Sequence, residues 1–259
     1  MARVMCYKCY WPQPLCWCGS ITPMPTRTKF VILMHPHEFK RIKANTGRLT
    51  HLCLADSELH IAESFAGHEA VQALIDDPGN YLVLLYPGRN ALDLSKAGGK
   101  EQGAGSSDRS GSDSALHALR SQLESRRLVV FLLDATWRKV RPMLRLSPNL
   151  QCLPRIMFSG AAPSRYVIKR QPEPGCLSTL EATHELLLAL DRSGLDRYTL
   201  PQQLLEVFQR MQEIQITRTA ENRRLGISRH APKPPRQPKA QQVPAGPKRR
   251  RIFPAARTN

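Results

Sequence analysis

The stretch Leu128-Val129-Val130-Phe131-Leu132-Leu133-Asp134-Ala135-Thr136-Trp137 decides the fold. Its six leading apolar residues are far fewer than the roughly 20 a membrane span needs. They show none of the alternation of a strand with one wet face, so they read as a strand buried on both faces of a parallel sheet. The run stops at a carboxylate, and the basic helical pattern Arg138-Lys139-Val140-Arg141 follows at once. In open parallel sheets, ligand sites form where the carboxyl ends of strands meet loop side chains and helix amides. Asp134 stands at such an end. The competing use of Asp134 or Thr136 is to cap the helix that follows, and the motif taken alone leaves both open.

Working outward, 30–34 and 82–86 read as two further buried strands, and helical patterns fall over 39–54, 69–76, 115–126, 138–146, 179–191 and 202–223. Strands alternating with helices predict an α/β domain around a parallel sheet. Ser178 and Glu181 have the spacing of a capping box ahead of Leu186, Leu187 and Leu190. Leu204, Phe208, Met211 and Ile214 form one apolar stripe of the last helix. Both stripes read as core. There is no internal repeat. The division expected is a cysteine-rich knot over 1–25, a catalytic domain over 26–228 and a tail over 229–259, with a flexible Gly/Ser insertion at about 96–114.

That tail carries nine Lys and Arg, seven Pro and no Asp or Glu, so it offers little apolar surface to offset the entropy of ordering and is expected to be disordered. The whole chain has a formal net charge of +17, which favours a polyanionic partner, nucleic acid ahead of an anionic membrane surface. The N-terminus lacks the pattern of a secretory signal, and no apolar run is long enough to span a bilayer. The chain is therefore expected in the cytoplasm, without a membrane and without a stable protein partner.

Four of the seven cysteines fall within the first 18 residues. Cys6 and Cys9 form Cys-x-x-Cys, and Cys16 and Cys18 form Cys-x-Cys, so four thiolates can converge on one structural Zn²⁺. Two disulfides or free thiols are the alternatives. A full thiolate shell leaves no open position, so a metal here would staple and not catalyse. Cys53, Cys152 and Cys176 sit in or beside apolar segments and read as inert buried thiols.

Three more segments gather polar groups at predicted element ends. His35-Pro36-His37-Glu38 follows the first strand, with Asn45-Thr46-Gly47-Arg48-Leu49 a few residues on; Tyr86-Pro87-Gly88 closes the second, as a site or as a plain turn. Arg165 to Arg170 precedes Leu177-Ser178-Thr179-Leu180-Glu181-Ala182, which sets cations before a helix N-terminus able to receive an anion. Taken in order, the paired cysteines, His-Pro-x-Glu, Asn-Thr-x-Arg-Leu, Asp-x-Thr-Trp and Leu-Ser-Thr-Leu-Glu-Ala resemble the DTW-domain proteins, over roughly residues 6–211. The insertion and the tail lie outside the resemblance.

The resemblance implies a core related to the knotted SPOUT-type methyltransferases, and transfer of the 3-amino-3-carboxypropyl group of S-adenosylmethionine to N3 of a uridine in transfer RNA, with methylthioadenosine released. It implies catalytic roles for Asp134, Thr136 and Trp137. Uridine N3 must lose its proton before it attacks, which a positioned carboxylate such as Asp134 can arrange as general base. N3 lies on the pairing edge, so the base must be extruded, and Trp137 is either its stacking surface or a core residue. Carried over from the motifs, His35, Glu38, Asn45, Thr46, Arg48, Tyr86, Pro87, Ser178, Thr179 and Glu181 are cofactor- or substrate-pocket residues. Arg138, Arg141 and Arg165 would hold the RNA backbone or simply form a solvated basic face. The rivals are an RNA methyltransferase on the same fold, which would release S-adenosylhomocysteine, and a zinc-bearing RNA-binding protein without chemistry.

Overall fold

The computed structural model describes residues 4–41, 45–96, 108–169 and 175–226. By contacts the chain divides into residues 1–217 and 218–259; of the second unit, the described part is the end of the last helix and the turn after it. The predicted tail, 229–259, and residues 97–107 of the predicted insertion lie outside the described residues.

Unit 1 is built on six strands, β1 (Lys29–Met34), β2 (Ser57–Ile61), β3 (Asn80–Leu85), β4 (Leu92–Asp93), β5 (Arg127–Asp134) and β6 (Arg155–Met157). All pair in parallel, in the order β2-β1-β5-β3-β6-β4. The apolar run that ends in Asp134 is thus an inner strand, flanked by β1 and β3. Its side chains alternate between two cores, as strand geometry requires. Val130 and Leu132 join Phe30, Ile32 and Val83 on one face, under helices α2 (Thr46–Cys53), α7 (Thr179–Arg192) and α8 (Pro201–Arg224). Val129 and Phe131 join Val31, Leu33 and Leu84 on the other, under α3 (Glu69–Asp76), α5 (Trp137–Arg145) and α6 (Pro148–Gln151). Both faces are covered, which is why β1 and β5 are apolar almost throughout.

Leu186, Leu187 and Leu190 of α7 are buried, as are Leu204, Phe208 and Met211 of α8, with Ile214 packed at the edge of the same core. The single helix expected over 39–54 is two, α1 (Pro36–Arg41) and α2. The second starts afresh because the Asn45 side chain accepts a bond from the Arg48 N–H and caps it. Helix α4 (Asp108–Leu123) begins seven residues before the expected 115, inside the stretch read as an insertion. Cys152 is exposed and Cys176 half-buried, so of the three isolated cysteines Cys53 alone is buried.

The capping box is complete. The Ser178 side chain accepts from the Glu181 N–H while the Glu181 carboxylate accepts from the Ser178 N–H, which fixes the first turn of α7 and the direction of Thr179. Ser178→Ala should lower unfolding free energy by about 1–2 kcal/mol in a urea titration; an unchanged midpoint would mean that the box does not hold this helix end.

Candidate active site at the end of the central strand

Asp134, the last residue of β5, is 5% exposed. Its carboxylate does not cap α5: Thr136 holds the N-cap position there, with no capping bond from its side chain. Instead Thr179 Oγ1 donates to Asp134 Oδ1 at 2.6 Å, and Asn45 Nδ2 donates to Oδ2 at 3.3 Å. Asn45 also spends its Oδ1 on the Arg48 N–H, at 2.7 Å. One amide therefore ties the start of α2 to the end of β5, and one hydroxyl ties the start of α7 to the same carboxylate.

Gly47 closes the third side. A Cβ built there would lie 2.5 Å from both Cγ and Oδ2 of Asp134, far inside contact distance, so the first turn of α2 packs on the carboxylate through bare backbone. Burial raises the Asp134 pKa above the usual carboxylate range; the Thr179 bond works against that rise and the nearby Glu38 adds to it. A carboxyl tuned upward by burial suits proton abstraction near neutral pH.

Two oppositely charged side chains stand close by with polar atoms unspent. Glu38, in α1, is 4% exposed, and its Oε1 has no hydrogen-bond partner among the described residues. His37 Nδ1 lies 3.7 Å from that oxygen and Lys169 Nζ 4.0 Å from Oε2. Arg48 is 7% exposed, with its guanidinium over the rings of Tyr10 at 4.2 Å and Phe39 at 4.8 Å. Its Nη2 is buried without a hydrogen-bond partner among the described residues, and burial lowers its pKa. Buried polar atoms are normally satisfied; here an acidic and a basic side chain each keep one that is not, among the described residues.

Beside Thr179 opens a largely apolar cavity of about 250 Å³, lined by residues that include Leu85, Tyr86, Pro87, Leu133, Trp137, Met157 and Phe158. It lies at the carboxyl ends of β3, β5 and β6. Trp137 is 40% exposed at this cavity, 6.4 Å from the Tyr86 ring, so it is no core residue. Arg138 and Arg141 project exposed from α5, and the Arg165 side chain is exposed as well.

The remaining predicted residues serve as supports. Glu181 accepts bonds from Ser178, from Ser164 Oγ and from the Arg165 N–H at 2.6 Å, and so ties the loop before α7 to its first turn. Thr46 is buried in the first turn of α2, where its carbonyl accepts from Thr50. His35 continues the β1–β5 ladder by donating its N–H to the Asp134 carbonyl, and its Nδ1 accepts from the His37 N–H. Burial lowers its pKa, with help from the charge on Lys139.

Sequence reasoning missed Gly47, Tyr10, Phe39 and Tyr166. The last is a buried phenol whose pKa is raised first by burial and then by the charge of Asp134. Gly47 lies inside the Asn-Thr-x-Arg-Leu motif, two residues after Asn45, and that placement is the signal available; nothing local marks the other three.

At the N-terminus the four sulfurs of Cys6, Cys9, Cys16 and Cys18 lie within 4.8 Å of one another, with Cys6–Cys18 at 3.9 Å and Cys9–Cys16 at 3.8 Å. Disulfides need about 2.05 Å, whereas tetrahedral thiolates about 2.3 Å from a zinc ion stand about 3.8 Å apart. The cluster therefore has the shape of a metal site. The backbone N–H of Cys9 lowers the Cys6 thiol to about 6, while burial raises Cys9 and Cys18; thiols so crowded ionise together only around a cation.

The DTW domain model matches residues 3–216. The chain belongs to the DTW domain family. Among curated proteins it is 28% identical to the tRNA-uridine aminocarboxypropyltransferase 2 of Drosophila melanogaster, over 76% of this chain and 71% of that protein. The enzyme of the same name from Mus musculus is 26% identical, over 83% and 66% of the two chains. The tRNA-uridine aminocarboxypropyltransferase A of Arabidopsis thaliana is 25% identical over 82% and 81%. No solved structure matches the chain. The family's Asp-x-Thr-Trp motif is the strand end just described.

Gly47→Ala separates a packed contact from an ordinary helix position. In an exposed helix the change stabilises by up to about 1 kcal/mol; against the Asp134 carboxylate it should destabilise by about 1–3 kcal/mol, read from urea denaturation. A more stable variant would mean that α2 does not rest on Asp134.

Proposed function

We propose that this chain transfers the 3-amino-3-carboxypropyl group of S-adenosylmethionine to N3 of a uridine in transfer RNA. The observation that carries the reading is the buried, doubly hydrogen-bonded Asp134 at the strand end that bears the family's motif. Relatives named for this activity, aligned across most of the chain, supply the reaction class.

Asp134 takes the N3 proton of the uridine. The freed N3 lone pair forms a bond to the γ-carbon of the methionine portion while the bond from that carbon to sulfur breaks. The electron pair stays on sulfur, whose positive charge is neutralised as methylthioadenosine leaves; the proton remains on Asp134 until solvent removes it. Thr179 and Asn45 orient the carboxylate, and holding the reactants in line supplies much of the acceleration. The apolar cavity, just below the usual volume of a small-molecule pocket, suits the adenosyl end of the donor. Glu38 and Arg48, with their unspent oxygen and nitrogen, suit its ammonium and carboxylate. Trp137 offers a face to the extruded uridine, and Arg138 and Arg141 meet the phosphates.

A zinc ion held by Cys6, Cys9, Cys16 and Cys18 would fold the N-terminal knot and supply no chemistry, since its coordination would be complete. A reducing cytoplasm would keep these thiols available. A relation to the SPOUT fold is supported by the place of β5, which returns late in the chain to lie between β1 and β3. No helix among the described residues is long and apolar enough to cross a membrane.

Asp134→Asn preserves shape and removes basicity. With saturating donor and unmodified transfer RNA, its single-turnover transfer rate should fall by about 10²- to 10⁴-fold while the melting temperature holds. The wild-type rate should rise with pH through the Asp134 pKa, because the base works deprotonated; burial raises that pKa, so the acid limb should sit above the ordinary carboxylate range and vanish in the variant. A near-normal rate for Asp134→Asn would contradict the base assignment. Metal content supplies a separate check: protein prepared without chelator should hold one zinc per chain, and Cys6→Ser with Cys16→Ser should lose metal and stability together. Metal-free wild-type protein of full stability would refute the structural zinc.

A further inference from the structure

The segment from Val4 to Tyr10, around the paired thiols Cys6 and Cys9, carries more exposed ring surface than a structural staple needs. Tyr7 is 90% exposed and Tyr10 47% exposed, with Val4 at 68% on the same segment. Lys8 between them is exposed. Single exposed apolar side chains are ordinary; several on one short turn mark an interaction surface. The turn is also rigidly set: the Tyr10 N–H donates to the Cys6 carbonyl at 2.8 Å, and the Cys6 N–H to the Trp11 carbonyl at 2.7 Å. Tyr10 is the one non-glycine residue with positive φ among the described residues, at 57°, a conformation that disfavours bulky side chains unless the surroundings hold it.

What holds it faces the active site. The Tyr10 ring meets Phe39 edge-to-face at 5.6 Å and lies under the Arg48 guanidinium. Arg48 belongs to the turn of α2 that packs on Asp134, and Phe39 follows Glu38 in α1. The knuckle is thereby fixed against the two elements that build the site, with Tyr7 and Lys8 on its outer side.

We propose that this knuckle is a nucleobase platform: Tyr7, held in place through Tyr10, stacks an unpaired nucleotide of the transfer RNA that carries the uridine to be modified, and Lys8 meets its phosphate. Aromatic rings interleaved with a cation are the means by which proteins hold single-stranded RNA, since every base has a face to stack and every linkage a charge. The chain's formal charge of +17 fits that partner. A metal held by the four thiolates would set the distance between the platform and Asp134. The inference rests on transfer RNA being the substrate and adds where its flanking nucleotide lies.

The experiment is equilibrium binding of zinc-loaded full-length protein to an unmodified transfer RNA transcript, without donor, across a salt series. Tyr7 is almost wholly exposed, so Tyr7→Ala should keep its metal and its melting temperature. It should bind about tenfold more weakly at every salt concentration, since loss of stacking removes no charge, and Tyr7→Trp should restore affinity. Lys8→Ala should instead reduce the slope of log affinity against log salt by about one. Tyr7→Ala binding within twofold of wild type, or a loss that Tyr7→Trp does not restore, would overturn the platform while leaving the transferase reading intact. Wild-type protein with no affinity for the transcript would overturn the transferase reading itself.

Discussion

A carboxylate cut off from water sets the terms for the rest of this molecule. Removing an ionised carboxyl from solvent is costly unless the protein replaces the lost hydrogen bonds. Asp134 receives its replacements from two helices that are far apart in sequence, through Asn45 ahead of α2 and Thr179 at the start of α7. Each donor is itself held. Asn45 is locked by capping α2, and Thr179 by the box that Ser178 and Glu181 form around it. Gly47 lets α2 come close enough for this by lacking a side chain. The geometry of the carboxylate is thus over-determined by its neighbours, which is what preorganised catalysis would require of a base.

The surroundings divide by polarity. On one side of Thr179 lies the apolar cavity; around the carboxylate stand Glu38, Arg48 and Lys169. A donor with an aromatic, uncharged nucleoside and a zwitterionic amino-acid end has the same division. In the proposed reaction the reacting carbon would sit at the boundary, where Thr179 both lines the cavity and bonds Asp134. The thiol cluster contributes at a distance, through Tyr10 beneath Arg48. A disturbance of the cluster should therefore reach the charged side of the site before the apolar one.

Much of this was legible in the sequence because its causes are local. Uniform apolar runs disclose the inner strands: β1 and β5 are buried almost throughout, whereas β3 lies where its run falls but buries only Val83 and Leu84. The spacing of Ser178 and Glu181 discloses a cap, and the spacing of four cysteines a metal-shaped cluster. What escaped depends on partners distant in sequence. The edge strands β2 and β4, and β6 beside β4, are short or only half-buried, so they lack a clear period. The break between α1 and α2 turns on Asn45 serving as a cap, which an unbroken helical periodicity masks. The site residues Tyr10, Phe39 and Tyr166 look like ordinary aromatics until the fold brings them to Arg48 and Asp134. Glu181 is the opposite case: a motif residue whose oxygens are engaged in holding the backbone.

Product identity separates aminocarboxypropyl transfer from methyl transfer. Purified protein, S-adenosylmethionine and an unmodified transfer RNA transcript are incubated, and both the nucleosides and the spent donor are identified by mass spectrometry. Methylthioadenosine and an aminocarboxypropyl-modified uridine are expected in equal amounts. S-adenosylhomocysteine together with a methylated nucleoside would contradict aminocarboxypropyl transfer.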